Sequence, residues 1–416
     1  MLGKLRDKFS MSQLLGLIYF YFNSVWLPVP VTFTSILSFL NLKQTFTSHK
    51  KVILSLLLIL TVYAFVHLFT GVILADYFKS LAYFTLLLLS GFVAYDYLNY
   101  IELQIDKSFK LLAAFGFLLV IVALICINTS FEQYFWTSHN FVGAGELIRR
   151  FKGLAYEPSH LALTLSPLLL YFLWKNIQKL SVKDILYFVA VAIPIGLSIS
   201  FGFVASLLIS LAFTLLIPLL VFSEFKRVLI LPVLAVLIGV AAISFTQNPI
   251  SERIEFILDG NDTSVNGRTT EAFMHGYNCA ANKSIWLGIG LGQIKYVGEE
   301  VIRPYYAAMD PVGYSKENWP VMSIPNSMAE TLAIFGILGV LLKIGFQVFC
   351  FVKFKVYDNY LNLSIFCFIF FYQMMGSFIL SSTEIIMWAF AFAKIFPEFN
   401  VNSNSKYSID KQIPAQ

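Results

Sequence analysis

Charge is what this chain has least of. Only 13% of its 416 residues are Asp, Glu, Lys or Arg, too few to solvate the surfaces of the soluble domains that such a length could form. Cysteine is scarce too. Of Cys126, Cys279, Cys350 and Cys367, only Cys279 falls in an expected loop, so no disulfide framework is expected. The net charge of +5 comes largely from lysines scattered through short segments rather than gathered on one face. That pattern argues against nucleic acid and for membrane topology. After Lys4, Arg6 and Lys8 the apolar run simply continues, without the short apolar core and small-residue cleavage site of a secretory signal, so the N-terminus is expected to stay attached.

Apolar residues are what is there, at 58%. Runs such as Val52 to Phe69, Leu111 to Ile127 and Phe203 to Phe222 are long enough to cross about 30 Å of hydrocarbon. The expected fold is all-α, a polytopic transmembrane helical bundle forming a single integral membrane domain over 1–416. Twelve spans are expected, near 14–27, 29–42, 52–71, 79–97, 109–128, 159–174, 184–199, 203–222, 228–245, 326–348, 361–379 and 384–397. The first two could instead be one long helix broken at Pro28 and Pro30, but loop charge favours a pair. With the pair, every alternate connection is basic, from Lys43, Lys50 and Lys51 through Lys107 and Lys110, then Lys175, Lys179 and Lys183, to Lys353 and Lys355. The positive-inside rule then puts both termini, including the tail 398–416, in the cytoplasm. The opposite side receives two substantial loops, 129–158 and, before the tenth span, 247–325.

The two kinds of cation separate. Five of seven arginines (Arg149, Arg150, Arg253, Arg268, Arg303) fall in the outer segments, against five of 22 lysines. A guanidinium binds phosphate or carboxylate in a fork, so the asymmetry suggests an anionic ligand at the outer face. Pairing with acidic side chains or lipid headgroups explains any single arginine about as well.

In the first outer loop, Arg149 to His160 runs straight into a span. Pro158 suits the first turn of a helix, with Glu157 near its cap and His160 at its positive end. Glu157 and His160 beside Arg149, Arg150 and Lys152 suggest phosphate binding with proton handling, whereas a lone Glu or His there would be a cap or an interfacial side chain. In the second loop, Gly267 to Lys283 has helical character, and on a helix Arg268, Glu271 and His275 would share a face. Arg268 is a second phosphate candidate. His275 is a possible base, or else simply packs under the loop. Leu287 to Gln293 carries glycines at alternate positions, but no strand–turn–helix unit surrounds it, so close backbone packing explains them better than a nucleotide. Asp259 and Asp262 suit an Asx turn. No metal and no cofactor is expected. Asn326 and Glu330, spaced i, i+4 at the start of the tenth span, form either a site wall or helix glue.

Arg150 to Gly153 with Glu157-Pro158, then Asn266-Gly267-Arg268, then Trp286 to Gly292, then Pro325-Asn326 with Glu330 and Phe335-Gly336-Ile337-Leu338-Gly339 form an ordered series. It resembles the O-antigen polymerase and O-antigen ligase superfamily over roughly Arg149 to Val340. The resemblance implies a metal-independent glycosyltransferase of the bacterial cytoplasmic (inner) membrane, acting at its outer face on glycans carried by a polyisoprenyl diphosphate. It implies that Arg150 and Arg268, with Arg149 as neighbour, hold the diphosphate. A chain-length regulator and a flippase of the same pathway are the implied partners. Ligases often carry a histidine directly before the asparagine of the late span, and Pro325 stands there instead, which favours a polymerase of the Wzy kind over a ligase. Glu157 is then the first choice for general base, with His160 and His275 as alternatives. A flippase for the same lipid-linked sugars is the rival of another class. It should show internal repeats and charges deep in the spans, and the sequence offers there little beyond His67, Gln373 and Lys343.

Overall fold

The computed structural model describes residues 33–140, 147–221, 255, 257–260, 262–308, 312–315, 317 and 321–401. The spans expected near 14–27 and 228–245, the beginning of the one near 29–42, Arg253, Lys316 and the tail from 402 lie outside them.

The described chain is mostly helical. It begins with α1 (Phe33–Leu68), α2 (Leu74–Tyr100) and α3 (Ile105–Ile125). A short α4 (Glu132–Phe135) leads into an antiparallel hairpin of β1 (Trp136–Asn140) and β2 (Leu147–Phe151), which is the one departure from an all-α fold among the described residues. Then come α5 (Pro158–Gln178), α6 (Val182–Ser198) and α7 (Phe201–Val221), followed by α8 (Thr263–Asn266), α9 (Thr270–Lys283), α10 (Ile294–Val301) and α11 (Arg303–Ala307). The chain closes with α12 (Ser327–Lys353), α13 (Tyr360–Tyr372) and α14 (Ser382–Phe392).

Four stretches among the described residues are long and apolar enough to cross a membrane: Leu42–Leu68, Leu74–Tyr100, Glu102–Ile125 and Ser327–Lys353. Their outward faces carry large apolar side chains such as Leu58, Phe65, Leu118, Leu341 and Phe349, suited to hydrocarbon rather than water. The sequence expectation needs one correction here. The expected connection 43–51 is not a loop between two spans but part of α1, and it contains no glycine or proline to stop a helix. The helix bends at His49 (φ −115°, ψ 20°), where Nε2 lies 2.6 Å from Asp96 Oδ1 on α2.

Helices α5 and α13 are buried on almost every side and form the centre of the larger core, packed against α3, α6, α7 and α14. Polar contacts sort the two ends of the bundle. At one end Asp106 accepts from Lys110 (2.6 Å), Lys175 (2.5 Å) and the Tyr171 hydroxyl (3.0 Å), and Asp184 lies 3.3 Å from Lys175. The start of α3, the end of α5 and the start of α6 therefore meet there. At the other end the Trp136 indole donates to the Ala123 carbonyl (2.9 Å), hanging the hairpin from the end of α3.

A smaller core joins α9, α10 and α12 to the start of α2. It surrounds a break in α12 at Gly336 (φ 66°, ψ −167°). Backbone groups released by such a break must find partners inside the bundle, and the glycine-rich stretch supplies them. Ile289 and Gly290 donate to the Ala333 and Ile334 carbonyls (2.9 and 3.0 Å), while Ile337 and Leu338 donate to Ile285 and Trp286 (3.0 and 3.2 Å). His67 donates from Nε2 to the Leu287 carbonyl (2.8 Å), which in a neutral ring leaves Nδ1 to accept from the Tyr77 hydroxyl (3.0 Å). A Cβ on Gly288 (φ +74°) would stand 2.4 Å from the Ile334 carbonyl carbon and oxygen. Gly288→Ala should therefore separate the two segments and cost roughly 2–4 kcal/mol, read as a lower melting midpoint of the purified protein in detergent.

Candidate functional site

The site is built from the start of α5 upward. Glu157 is its N-cap residue, in extended geometry (φ −133°, ψ 154°), and Pro158 occupies the first turn, where its missing N–H leaves no donor unpaired. Ser159 donates to Glu157 Oε2 (3.2 Å). One residue on, the half-buried His160 ring lies nearly parallel to Phe378, with centroids 6.3 Å apart at 14°. The positive end of α5 thus carries a carboxylate and an imidazole at a partly open surface.

Arg268 comes from the turn between α8 and α9. Asp262 caps α8 by accepting from Val265 N–H (2.8 Å), in the Asx-type role. The Arg268 backbone is then tied from outside its own segment. Asn326 Nδ2 donates to the Arg268 carbonyl (2.7 Å) and to the Met374 carbonyl (2.6 Å), while its Oδ1 caps α12 by accepting from Met328 N–H (3.1 Å) and Ala329 N–H (2.9 Å). With Asn326 fully buried, its amide holds the second outer segment, the start of α12 and the stretch after α13 together. The charges of Glu157 and Arg268 consequently act on the same groups, His160 and Tyr372, with Ser159 beside Tyr372. Glu157, His160 and Arg268 are thus brought to one place from two segments more than a hundred residues apart in the chain.

Other expected site residues sit elsewhere. Arg149 and Arg150 are neighbours on a strand and so face opposite ways. Arg149 bonds to Glu132 (2.9 Å) and Asn128 (3.0 Å), and Arg150 donates from Nε to the Ser198 carbonyl at the end of α6 (2.9 Å). The expected common face of Arg268, Glu271 and His275 does not form, because α9 begins at Thr270 after a non-helical Thr269 (φ −117°, ψ −99°). Glu271 instead accepts from the Tyr305 and Tyr306 hydroxyls (3.1 and 3.0 Å). His275 is buried with its ring against those same tyrosines, at 5.0 and 5.3 Å between centroids, and neither of its nitrogens has a hydrogen-bond partner among the described residues. Glu330 is buried and accepts from Ile379 N–H (2.7 Å), so Asn326 and Glu330 both hold the stretch between α13 and α14.

Two residues of the site, Tyr372 and Phe378, were hidden to sequence reading inside an expected span at 361–379. In the structure α13 ends at Tyr372 and a non-helical stretch follows. The interruption Gly376-Ser377 ahead of Ser381-Ser382 is the signal that could have exposed it. As a chemical arrangement, a guanidinium, a carboxylate and an imidazole around a partly open surface can hold an anionic group and move a proton beside it.

Burial lowers the His275 pKa below its ordinary value, with Glu271 opposing the shift. As pH falls, the unfolded chain therefore takes up the proton first, so the stability this ring contributes is complete above its ordinary value of 6.5 and is lost below it, by up to about 1.4 kcal/mol per pH unit. His275→Phe should flatten the drop in melting midpoint measured in detergent from neutral to mildly acidic pH. No protein-family model matches the chain, and comparison with curated proteins gives no match.

Proposed function

We propose that this chain is a membrane glycosyltransferase of the O-antigen polymerase kind, joining oligosaccharide repeat units carried on a polyisoprenyl diphosphate. In this reading it is a multi-pass protein of the bacterial cytoplasmic membrane. The lysine-bearing ends of the helices and both termini face the cytoplasm, and the segments 129–158 and 247–325 face outward. The observation that carries the reading is the joining of the Arg268 turn, through Asn326, to the stretch whose Phe378 stacks on His160 beside Glu157.

The chemistry follows from those side chains. An acceptor sugar hydroxyl attacks the anomeric carbon of the donor, and the bond from that carbon to the diphosphate oxygen breaks. Negative charge grows on the leaving diphosphate, where a guanidinium stabilises it. Glu157, at the positive end of α5, takes the hydroxyl proton, with His160 as the second acceptor within the same group. Arg150, held at the end of α6, shapes the outer face rather than clamping the diphosphate alongside Arg149.

Buried charge favours one second reading, a flippase for the same lipid-linked glycans. Glu330, Lys343 and Glu384 lie within the helices, with Lys343 3.2 Å from Glu384 Oε1, more ionisable groups than the sequence led one to expect there. A ligase is the remaining alternative, disfavoured by Pro325. Deleting the gene separates the three. Core carrying a single repeat means polymerase, long lipid-linked chains absent from core mean ligase, and units held on the inner leaflet mean flippase. For the polymerase, Arg268→Ala and Glu157→Gln should each lower polymer formation by membranes given lipid-linked repeat units by about 100-fold or more, and Arg150→Ala should lower it far less. Full polymer length with Arg268→Ala would sink the diphosphate assignment.

A further inference from the structure

Between α13 and α14 the chain crosses the bundle without helical structure, in the stretch from Gln373 to Ser381. Ser377 there has φ +108°, a conformation that residues with a Cβ rarely adopt and that persists only where its surroundings enforce it. Two buried carboxylates enforce it from different helices. Glu384, at the start of α14, accepts from the Ser377 hydroxyl at Oε2 (2.8 Å), and Glu330, on α12, accepts from Ile379 N–H (2.7 Å). Lys343 donates to Glu384 Oε1 (3.2 Å) and to the Ser327 hydroxyl (2.7 Å), so Glu384 is paired as well as bonded. Gln347 and Gln373 exchange amide hydrogen bonds (3.0 and 3.1 Å), and Asn326 holds the Met374 carbonyl.

These contacts fasten four residues of the nine-residue segment, Gln373, Met374, Ser377 and Ile379, and two residues on it or at its edge face the site. Phe378 lies between the two fastened positions and stacks on His160. Tyr372 ends α13 just before it, in the fields of Glu157 and Arg268. An apolar packing would avoid burying two carboxyl groups and a lysine. It would also leave the Ile379 N–H and the Ser377 hydroxyl without their acceptors inside the bundle. The carboxylates therefore do something that apolar side chains at their positions could not.

We infer that Glu330 and Glu384 are positioning residues, which fix the crossover so that Phe378 and Tyr372 form a third wall of the Glu157–His160–Arg268 site and set the plane of the His160 ring. The catalytic meaning of this rests on the transferase reading above, whereas its structural half is measurable without turnover. Phe378 lies parallel to a half-buried imidazole with centroids 6.3 Å apart, so releasing it should make His160 more open to chemical modification.

The test is carbethoxylation of the full-length protein in detergent with diethyl pyrocarbonate, followed at His160 by peptide mass spectrometry with His49 as the internal reference. Glu330→Ala, which removes the acceptor for Ile379 N–H, should raise the His160 rate several-fold relative to His49. Glu330→Gln, which keeps an acceptor oxygen, should restore it close to wild type. Ser377→Ala, a small change that cuts the tie to Glu384, should also raise the rate and serves if Glu330→Ala does not fold. Equal rates in wild type, Glu330→Ala and Ser377→Ala, or a Gln variant as reactive as the Ala variant, would overturn the proposal. Where membranes of the wild type join lipid-linked repeats, Glu330→Ala should lower kcat more than it changes KM, and Glu330→Gln should recover kcat. Loss of both in proportion to the folded protein present would mean a merely structural role. A wild type that joins no repeats refutes the transferase reading and leaves the carbethoxylation result standing.

Discussion

The Asn326 side chain can make four hydrogen bonds and makes all four, two as donor and two as acceptor, each to backbone. Those backbone groups belong to the turn carrying Arg268, to the first turn of α12 and to the end of the α13 region. Each segment is irregular or terminal at that point, so each would otherwise bring an unpaired polar group into the bundle, at a cost of about 1–3 kcal/mol apiece. One buried amide thus ties the turn carrying Arg268 to the start of α12 and to the stretch after α13 from which Phe378 stacks on His160. The meeting of Arg268 with Glu157 and His160 follows from that tie.

The same constraint explains the other irregular features. A helix that breaks inside a bundle, as α12 does at Gly336, needs backbone partners, and the stretch from Ile285 to Gly290 approaches closely enough to provide them. A crossover between two buried helices needs acceptors for its N–H groups, and Glu330 provides one from a neighbouring helix. Glycine serves where backbone meets backbone, and carboxylate or amide side chains serve where the gap is wider. In each case the non-helical backbone lies within protein rather than facing lipid, which is where hydrocarbon tolerates it.

Much of this was legible before folding was considered, and what was not has an identifiable reason. The start of α5 follows from Pro158 with Glu157 before it, since both act on the first turn of their own helix. The apolar spans follow from composition over twenty or so residues. Arg149 and Arg150 were misleading for a local reason. Side by side in sequence they look like a double clamp, but strand geometry turns them to opposite faces. His275 was misleading for a longer-range one. Its distance from Arg268 assumed a continuous helix, and Thr269 interrupts it. Tyr372 and Phe378 were invisible because hydropathy does not register where an apolar helix stops inside a bundle.

By itself, then, the sequence determined a mostly helical chain with runs apolar enough to cross a membrane and the start of α5, because these arise from burial of apolar runs and from interactions within a few residues. Only the tertiary structure decided which of the arginines and histidines share a site. That outcome depends on buried polar groups such as Asn326, Glu330 and Glu384 finding backbone partners across the bundle, and such pairings are set by three-dimensional packing that no local pattern of residues encodes.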